Sequence, residues 1–329
     1  MKTARWWTTE KNQIRCTLCP WECLLKEGQY GVCRVRKNSG GQLMSLSYGR
    51  PLAMGLDPVE KKPLYHFLPG KQVFSIGTAG CNLLCDFCQN WEISQCGYEN
   101  ESAYTLYSPE DIVKLALRYQ APAIAFTYNE PTIFAEYVID IAVIARERNL
   151  KTLMVTNGYI LPEASRDIYS NIDAANVDLK SFSNEFYKKR TRGELRYVLD
   201  TLLLLKEMKI HLELTTLIIE GYNSDTAKLR DEFRWIVENL GPETVLHLSA
   251  FHPDYKLENH PRTSGAVLES ARKIAQDAGL NYIYLGNLSF TDNNTYCPNC
   301  HFLQIERSAY DIQINVETHC RCGRPVDYL

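Results

Sequence analysis

The chain has 329 residues, 45% hydrophobic and 23% charged, which is long enough to bury a large core and too apolar for a disordered polypeptide. Its formal charge of −3 comes with no lysine or arginine block, which argues against broad non-specific nucleic-acid binding. No apolar run reaches the length of a membrane span, so a cytoplasmic protein with no membrane partner is expected.

Twelve cysteines fall into three clusters plus Cys96. The opening Met1-Lys2-Thr3-Ala4-Arg5-Trp6-Trp7 carries no secretory pattern. Reduced, metal-bound thiolates are therefore expected rather than disulfides. Residues 1–71 read as a Cys-rich N-terminal segment with Cys16, Cys19, Cys23 and Cys33 among turns at Gly28, Gly31 and Gly40-Gly41. Four thiolates in this spacing can hold structural zinc or an auxiliary iron–sulfur cluster, and Trp21 beside them would shield either from water.

From Gln72 the rhythm changes to short apolar runs alternating with amphipathic stretches, the pattern of βα units on a parallel sheet. Strands are expected at 73–77, 123–127, 152–155, 175–180, 211–219, 245–250 and 282–285. A helix should start at Ser108-Pro109, with Ser108 as cap and Pro109 in the first turn. Others should follow Pro131 to about Arg148, span 195–208, run from Ser224-Asp225 to Gly241, and run from Val267 to Gly279. Six or seven such repeats over residues 72–290 fall short of eight, so the expected fold is α/β, a partial, open (β/α)6-type barrel. Residues 291–329 form a third segment, in which Cys297-x2-Cys300 and Cys320-x-Cys322 resemble a zinc ribbon or rubredoxin-like site. Four thiolates would close that shell, which points to structural zinc.

The first strand leads into Cys81-Asn82-Leu83-Leu84-Cys85-Asp86-Phe87-Cys88. Three thiolates on one short loop suit a [4Fe-4S] cluster and leave its fourth iron without a protein ligand. A structural zinc would want a fourth ligand nearby, and the next cysteine is Cys96. C-x3-C-x2-C with Phe87 before the last Cys resembles the signature of the radical S-adenosylmethionine (SAM) enzymes, in which SAM chelates that iron. The resemblance implies reductive cleavage of SAM to a 5'-deoxyadenosyl radical that abstracts hydrogen from a substrate.

In parallel βα folds the chemistry collects at the carboxyl ends of the strands. Those ends carry Asn129 and Glu130, Thr156 and Asn157, Asp178 and Lys180, Glu213 with Thr215, and His252. Such a mixture suits a ligand with an amine, a carboxylate and a ribose. Asp and Asn at strand ends also cap helices, Lys180 could be a solvated lysine, and His247, inside a strand, reads as a core residue.

Residues 72–290 resemble the radical SAM family of pyruvate formate-lyase activating enzyme. More narrowly, Cys81 to Asn90, Thr127-Tyr128-Asn129-Glu130-Pro131-Thr132, Asn176 to Lys180 and Ala250-Phe251-His252-Pro253 are similar to the AmmeMemoRadiSam-system radical SAM enzymes. The resemblance implies that Glu130 helps hold the methionyl amine of SAM, and that Asp178, Lys180 and His252 serve the methionyl end, with Lys180 on the carboxylate. Two glycines of the activating enzymes' Gly-Gly-Glu-Pro stretch are Tyr128 and Asn129 here, and an Asp before Thr-Asn-Gly is Val155. The implied partners are SAM, an electron donor such as flavodoxin or ferredoxin, and a protein or small-molecule substrate, with a glycyl-radical enzyme as one candidate. An RNA-modifying radical SAM enzyme, and a non-catalytic iron–sulfur electron carrier or zinc-ribbon adaptor, are the rival readings.

Overall fold

The computed structural model describes residues 2–98, 103–288, 291–308 and 310–328. Its centre is a sheet that, among the described residues, has eight strands: β1 (Ala53–Pro58), β2 (Gln72–Gly77), β3 (Ala123–Phe126), β4 (Lys151–Thr156), β5 (Ala174–Asp178), β6 (His211–Ile218), β7 (Val245–Ala250) and β8 (Tyr282–Gly286). Spatial order follows chain order, β2 to β8 run parallel, and β1 pairs antiparallel with β2 at the edge. Because every crossover steps the same way and such crossovers are right-handed, the connecting helices fall on one face and the sheet curls. β1 and β8 do not pair with each other, so the barrel stays open.

Among the described residues, the helices of eight residues or more are α1 (Pro109–Arg118), α2 (Ala135–Glu147), α3 (Pro162–Tyr169), α4 (Leu195–Glu207), α5 (Thr226–Leu240) and α6 (Gly265–Ala278). Local signals set their ends. Ser108 accepts from the Asp111 amide while the Asp111 carboxylate accepts from the Ser108 amide, the reciprocal cap that starts α1. α5 stops at Gly241 (φ 104°) and α6 at Gly279 (φ 101°), conformations a side chain would resist. Two differences from expectation have local causes. The helix expected from Pro131 begins as a 3-10 turn, Pro131–Phe134, because Glu130 caps the Thr132 amide before α2 takes over. The β5 strand ends at Asp178, which leaves Lys180 in the following loop, where its amide donates to the Tyr187 hydroxyl.

Alternation along β3 and β4 sends Ile124, Phe126 and Met154 to the main core and Ala123, Ala125 and Leu153 to the opposite side. The small alanines leave room for Val59, Leu64 and Phe67, so the chain just before β2 plugs the barrel. Thus residues 53–68, which lie in the expected N-terminal segment, contribute a sheet edge and a plug. The rest of that segment forms two small antiparallel sheets, Lys2–Thr3 with Arg36–Ser39 and Gln42–Ser45, and Trp7–Glu10 with Gln13–Cys16 and Leu24–Leu25. It is tied to α2 by the buried Arg36–Glu136 pair at 2.7 Å, with Glu136 also accepting from the Arg5 amide. The C-terminal segment is a three-stranded antiparallel sheet, Thr295–Tyr296, Leu303–Ser308 and Asp311–Ile314. The boundary expected at residue 290 falls outside the described residues.

At the amino end of the barrel the plug, β6 to β8 and the C-terminal segment meet around Glu213. Its carboxylate accepts from the amides of Tyr65 and His66 and lies 3.0 Å from His211 Nε2 and 2.7 Å from His247 Nε2. Although burial opposes its charge, these bonds hold the Glu213 carboxyl well below the usual carboxylate range. His66 lies 2.7 Å from the Tyr284 hydroxyl and 2.9 Å from the Asp327 carbonyl, and Arg307 donates to the Tyr65 carbonyl at 2.8 Å. Burial pushes the His66 pKa down from 6.5 to about 4, against the opposing pull of Glu213.

A pH dependence follows. Between pH 6.5 and about 4 the unfolded chain protonates His66 while the folded chain does not. Stability present above pH 6.5 should therefore fall as pH drops toward 4, by roughly 3 kcal/mol in full. Urea unfolding at pH 7 and pH 4.5 should show this loss, with a shallower slope in His66→Asn. An identical slope in both proteins would assign the effect to other groups.

Candidate active site

The carboxyl ends of the strands surround a cavity of about 480 Å3, a volume typical of small-molecule sites. Each parallel strand, or the loop that follows it, contributes to the wall: Cys81, Cys85 and Cys88 after β2; Thr127 to Glu130 after β3; Thr156 and Asn157 at the end of β4; Asp178 and Lys180 at β5; Thr215 and Leu217 on β6; Ser249 on β7; Asn287 after β8. Of the residues singled out from the sequence, the cavity gathers the three central cysteines, Asn129, Glu130, Thr156, Asn157, Asp178, Lys180 and Thr215; Glu213, expected with Thr215 at a carboxyl end, lies instead near the start of β6 at the amino end of the barrel. His252 is not among its lining residues; it is half-buried, with Nδ1 3.5 Å from the Pro253 carbonyl.

A network of amides holds the cysteine loop. Asn129 accepts from the Thr78 amide and donates to the carbonyls of Ala79 (3.2 Å) and Gly80 (2.9 Å), clamping the turn before Cys81. Asn129 is thus not a helix cap; the cap is Glu130. Asn157 donates to Asn82 Oδ1 at 2.9 Å and points the same amide at Cys81 Sγ, 3.7 Å away, while Asn82 donates to the Tyr159 carbonyl. The Leu83 amide lies 3.4 Å from Cys81 Sγ, and Ser94 Oγ is 3.1 Å from Cys88 Sγ. N–H groups aimed at sulfur favour the thiolate form that binds metal. Without metal, burial pushes the Cys85 thiol up to about 12, although Lys180 pulls it the other way.

Glu130 is buried and joins the ends of β3 and β4, accepting from Thr156 Oγ1 at 2.7 Å, the Thr132 amide at 2.9 Å and the Asn157 amide at 2.8 Å. Burial raises its pKa. A carboxylate has about four acceptor positions, so one remains for a further donor. Lys180 donates to Asp178 at 2.8 Å. Burial works against its charge, but Asp178 and Cys85 overcome this and raise its pKa, so Lys180 is a cation facing the cysteine loop. Gln89 Nε2 lines the cavity buried and without a hydrogen-bond partner, a donor left for a ligand.

The cavity also contains a cluster that the sequence did not suggest. Lys62 donates to Asp57 at 2.7 Å, and the Tyr128 hydroxyl donates to the same oxygen at 2.5 Å. The Lys62 and Tyr128 interactions pull Asp57 down to about 2 in spite of its burial. The antiparallel pairing of β1 with β2, which sets Asp57 opposite Val73, brings Asp57 into the cavity lining. The available signal was Tyr128 itself, which takes the left-handed φ of 69° in a stretch where the activating enzymes carry glycine.

The C-terminal cysteines form a separate centre. The sulfurs of Cys297, Cys300, Cys320 and Cys322 lie within 4.8 Å of one another, with Cys297–Cys322 at 3.7 Å and Cys300–Cys320 at 3.5 Å. Four thiolates around one ion at about 2.3 Å would be about 3.8 Å apart, so this set fits a single tetrahedral metal.

Residues 75–233 match the radical SAM superfamily model. An uncharacterised protein of Methanocaldococcus jannaschii is 43% identical over 97% of both chains. The 4-hydroxyphenylacetate decarboxylase activating enzyme of Clostridioides difficile is 23% identical over 63% of this chain and 71% of its own length. A radical SAM methyltransferase from Sphaerobacter thermophilus superposes with a TM-score of 0.53 at 15% identity over 67% of each chain, a likeness of fold. The matched region begins in β2, takes in the three-cysteine loop at its carboxyl end and continues through β3 to β6, which wall much of the cavity; with the relative identical at 43% of positions over nearly the whole chain, this shows that the chain belongs to the radical SAM superfamily.

Proposed function

We propose that the cavity binds a [4Fe-4S] cluster on Cys81, Cys85 and Cys88 with SAM on its open iron, and that the protein abstracts hydrogen from a substrate at the cavity mouth. The observation that carries this reading is the convergence of the three cysteines with the Lys180–Asp178 pair, Glu130 and the unpartnered Gln89 amide on one wall. When bound, the cluster and SAM supply one-electron cleavage chemistry, and the electron comes from a flavodoxin- or ferredoxin-type donor. The chain's own residues do the rest. Lys180 pairs with the methionyl carboxylate, Glu130 accepts from the methionyl amine, and Asn129 and Asn157 keep the loop in register.

A protein glycine in a glycyl-radical enzyme is the favoured substrate, supported by the resemblance to activating enzymes; the narrower likeness to AmmeMemoRadiSam-system enzymes makes another protein or a small molecule the second reading. Dithionite-reduced protein should convert SAM to 5'-deoxyadenosine and methionine. Deuterium from the α-carbon of a labelled glycine partner should appear in the deoxyadenosine, and transfer from a different substrate instead would overturn the activase reading.

Lys180→Ala should keep the cluster absorption spectrum and weaken SAM binding by about 1.5–3 kcal/mol, the size of a charge-assisted contact. An unchanged dissociation constant would return Lys180 to a structural role beside Asp178.

A further inference from the structure

We propose that Cys16, Cys19, Cys23 and Cys33 hold a second iron–sulfur cluster, closed by four thiolates and placed to exchange single electrons with the centre on the Cys81 loop. Cys16, Cys19 and Cys33 are buried and Cys23 is half-buried. A Cβ built on Gly31 would lie 3.5 Å from Cys23 Sγ and 3.7 Å from Cys33 Sγ, so the backbone at Gly31 runs close to both sulfurs. The Val32 amide lies 3.5 Å from Cys23 Sγ, a contact that favours thiolate.

Sulfur spacing distinguishes this set from the C-terminal one. Thiolates sharing one zinc stand about 3.8 Å apart. On a cluster each thiolate takes its own iron, so the sulfurs stand wider. Among the described residues, the C-terminal quartet closes to within 4.8 Å, whereas neither the N-terminal quartet nor the Cys81–Cys85–Cys88 set provides three sulfurs that close. Among the described residues, the N-terminal quartet is thus not drawn in to the single-ion spacing of the C-terminal one.

Its position supplies the second argument. Trp21, between Cys19 and Cys23, donates its indole N–H to the Asn82 carbonyl, between Cys81 and Cys85, at 2.7 Å. A Cβ on Gly80, the residue before Cys81, would lie 2.3 Å from the Cys33 carbonyl oxygen, so only glycine admits this approach. The Cys33 and Cys81 Cα atoms are thereby held on the order of 10 Å apart, within two or three Cα steps. A zinc knuckle that only stabilised the fold would not need both of its flanks seated on the redox loop. The exchange is a one-electron transfer in which the outer cluster is oxidised as the inner one is reduced, with an external low-potential one-electron donor restoring the outer cluster. The electron-exchange half rests on the proposed function of the central loop; the identity of the metal does not.

The test is anaerobic full-length protein with Cys81→Ala, Cys85→Ala and Cys88→Ala combined. It should retain about half the iron and acid-labile sulfide of the unmodified protein, with a reduced electron paramagnetic resonance signal that SAM does not alter. No iron and a second zinc per chain would overturn the proposal. Should the variant fail to fold, the unmodified reduced protein provides the same decision: two signals, one altered by SAM and one not, support the second cluster, and a single signal excludes it. In the unmodified protein the SAM-insensitive signal should relax faster than in the variant, because a paramagnetic neighbour is close. Equal relaxation in the two proteins would overturn electron exchange while leaving the iron count as a separate result. Because none of these readouts is SAM cleavage, failure of the central reading would not be mistaken for failure of this one.

Discussion

Cys85→Ala should lose both its central iron and its ability to cleave SAM. Cys85 is buried at the cavity wall, and the central loop offers only three thiolates to the cluster, so removing one leaves two protein ligands. The cavity lining supplies no fourth thiolate to replace it, and the Asp178 carboxylate is already paired with Lys180. The paired measurement is iron and sulfide content with 5'-deoxyadenosine formed under dithionite. Cleavage should fall below detection while α1 to α6 keep their helical circular dichroism, because the clamps on the loop, Asn129 and Asn157, do not depend on Cys85. Undiminished cleavage in Cys85→Ala would remove the central cysteines from the site.

The second large effect is expected at the C-terminal centre. In Cys297→Ser combined with Cys320→Ser, zinc content should drop by about one per chain and thermal stability should fall sharply. The free energy of binding a structural zinc, about 10–16 kcal/mol in isolated finger peptides, is folding free energy. The loss should begin locally, because the ribbon is seated on the barrel's amino end through Arg307 to the Tyr65 carbonyl, Asp327 to Tyr282 at 2.5 Å, and Arg324 to Glu243 at 2.7 Å. Those contacts lie at the far end of the strands from the cavity. The folded fraction should therefore cleave SAM at a near-normal rate per central cluster. A fully folded double variant with an intact central cluster and no cleavage would make the ribbon part of the electron or substrate path instead.

Much of the barrel was legible in the chain because its signals are local. Apolar runs of strand length, Ser108-Pro109 at a helix start, and Gly241 and Gly279 at helix ends act within a few residues, so the strands and most helices lie where periodicity and caps place them. The helix Pro162–Tyr169 gave too short an apolar stripe to be read. The edge strand Ala53–Pro58 was hidden among turn residues, because its pairing partner is supplied by β2 rather than by its own sequence.

The three-cysteine spacing and the order of the βα units are properties of the linear chain, since a short loop dictates how its own thiolates can converge and a sequential run of parallel strands can wind in one hand. What surrounds the loop depends on long-range contacts. Asn129 and Asn157 reached the cysteine turn from two other strands, Lys62 and Tyr128 met on Asp57 through the β1–β2 pairing, and Trp21 came to rest on the Asn82 carbonyl across 61 positions of chain. His252, beside a proline at a strand end, had the same local credentials as Lys180, yet Lys180 lines the cavity and His252 is not among its lining residues. Residue type and spacing specify which groups can do chemistry; only packing decides which of them share a wall, because burial and pairing are set by neighbours far away in sequence.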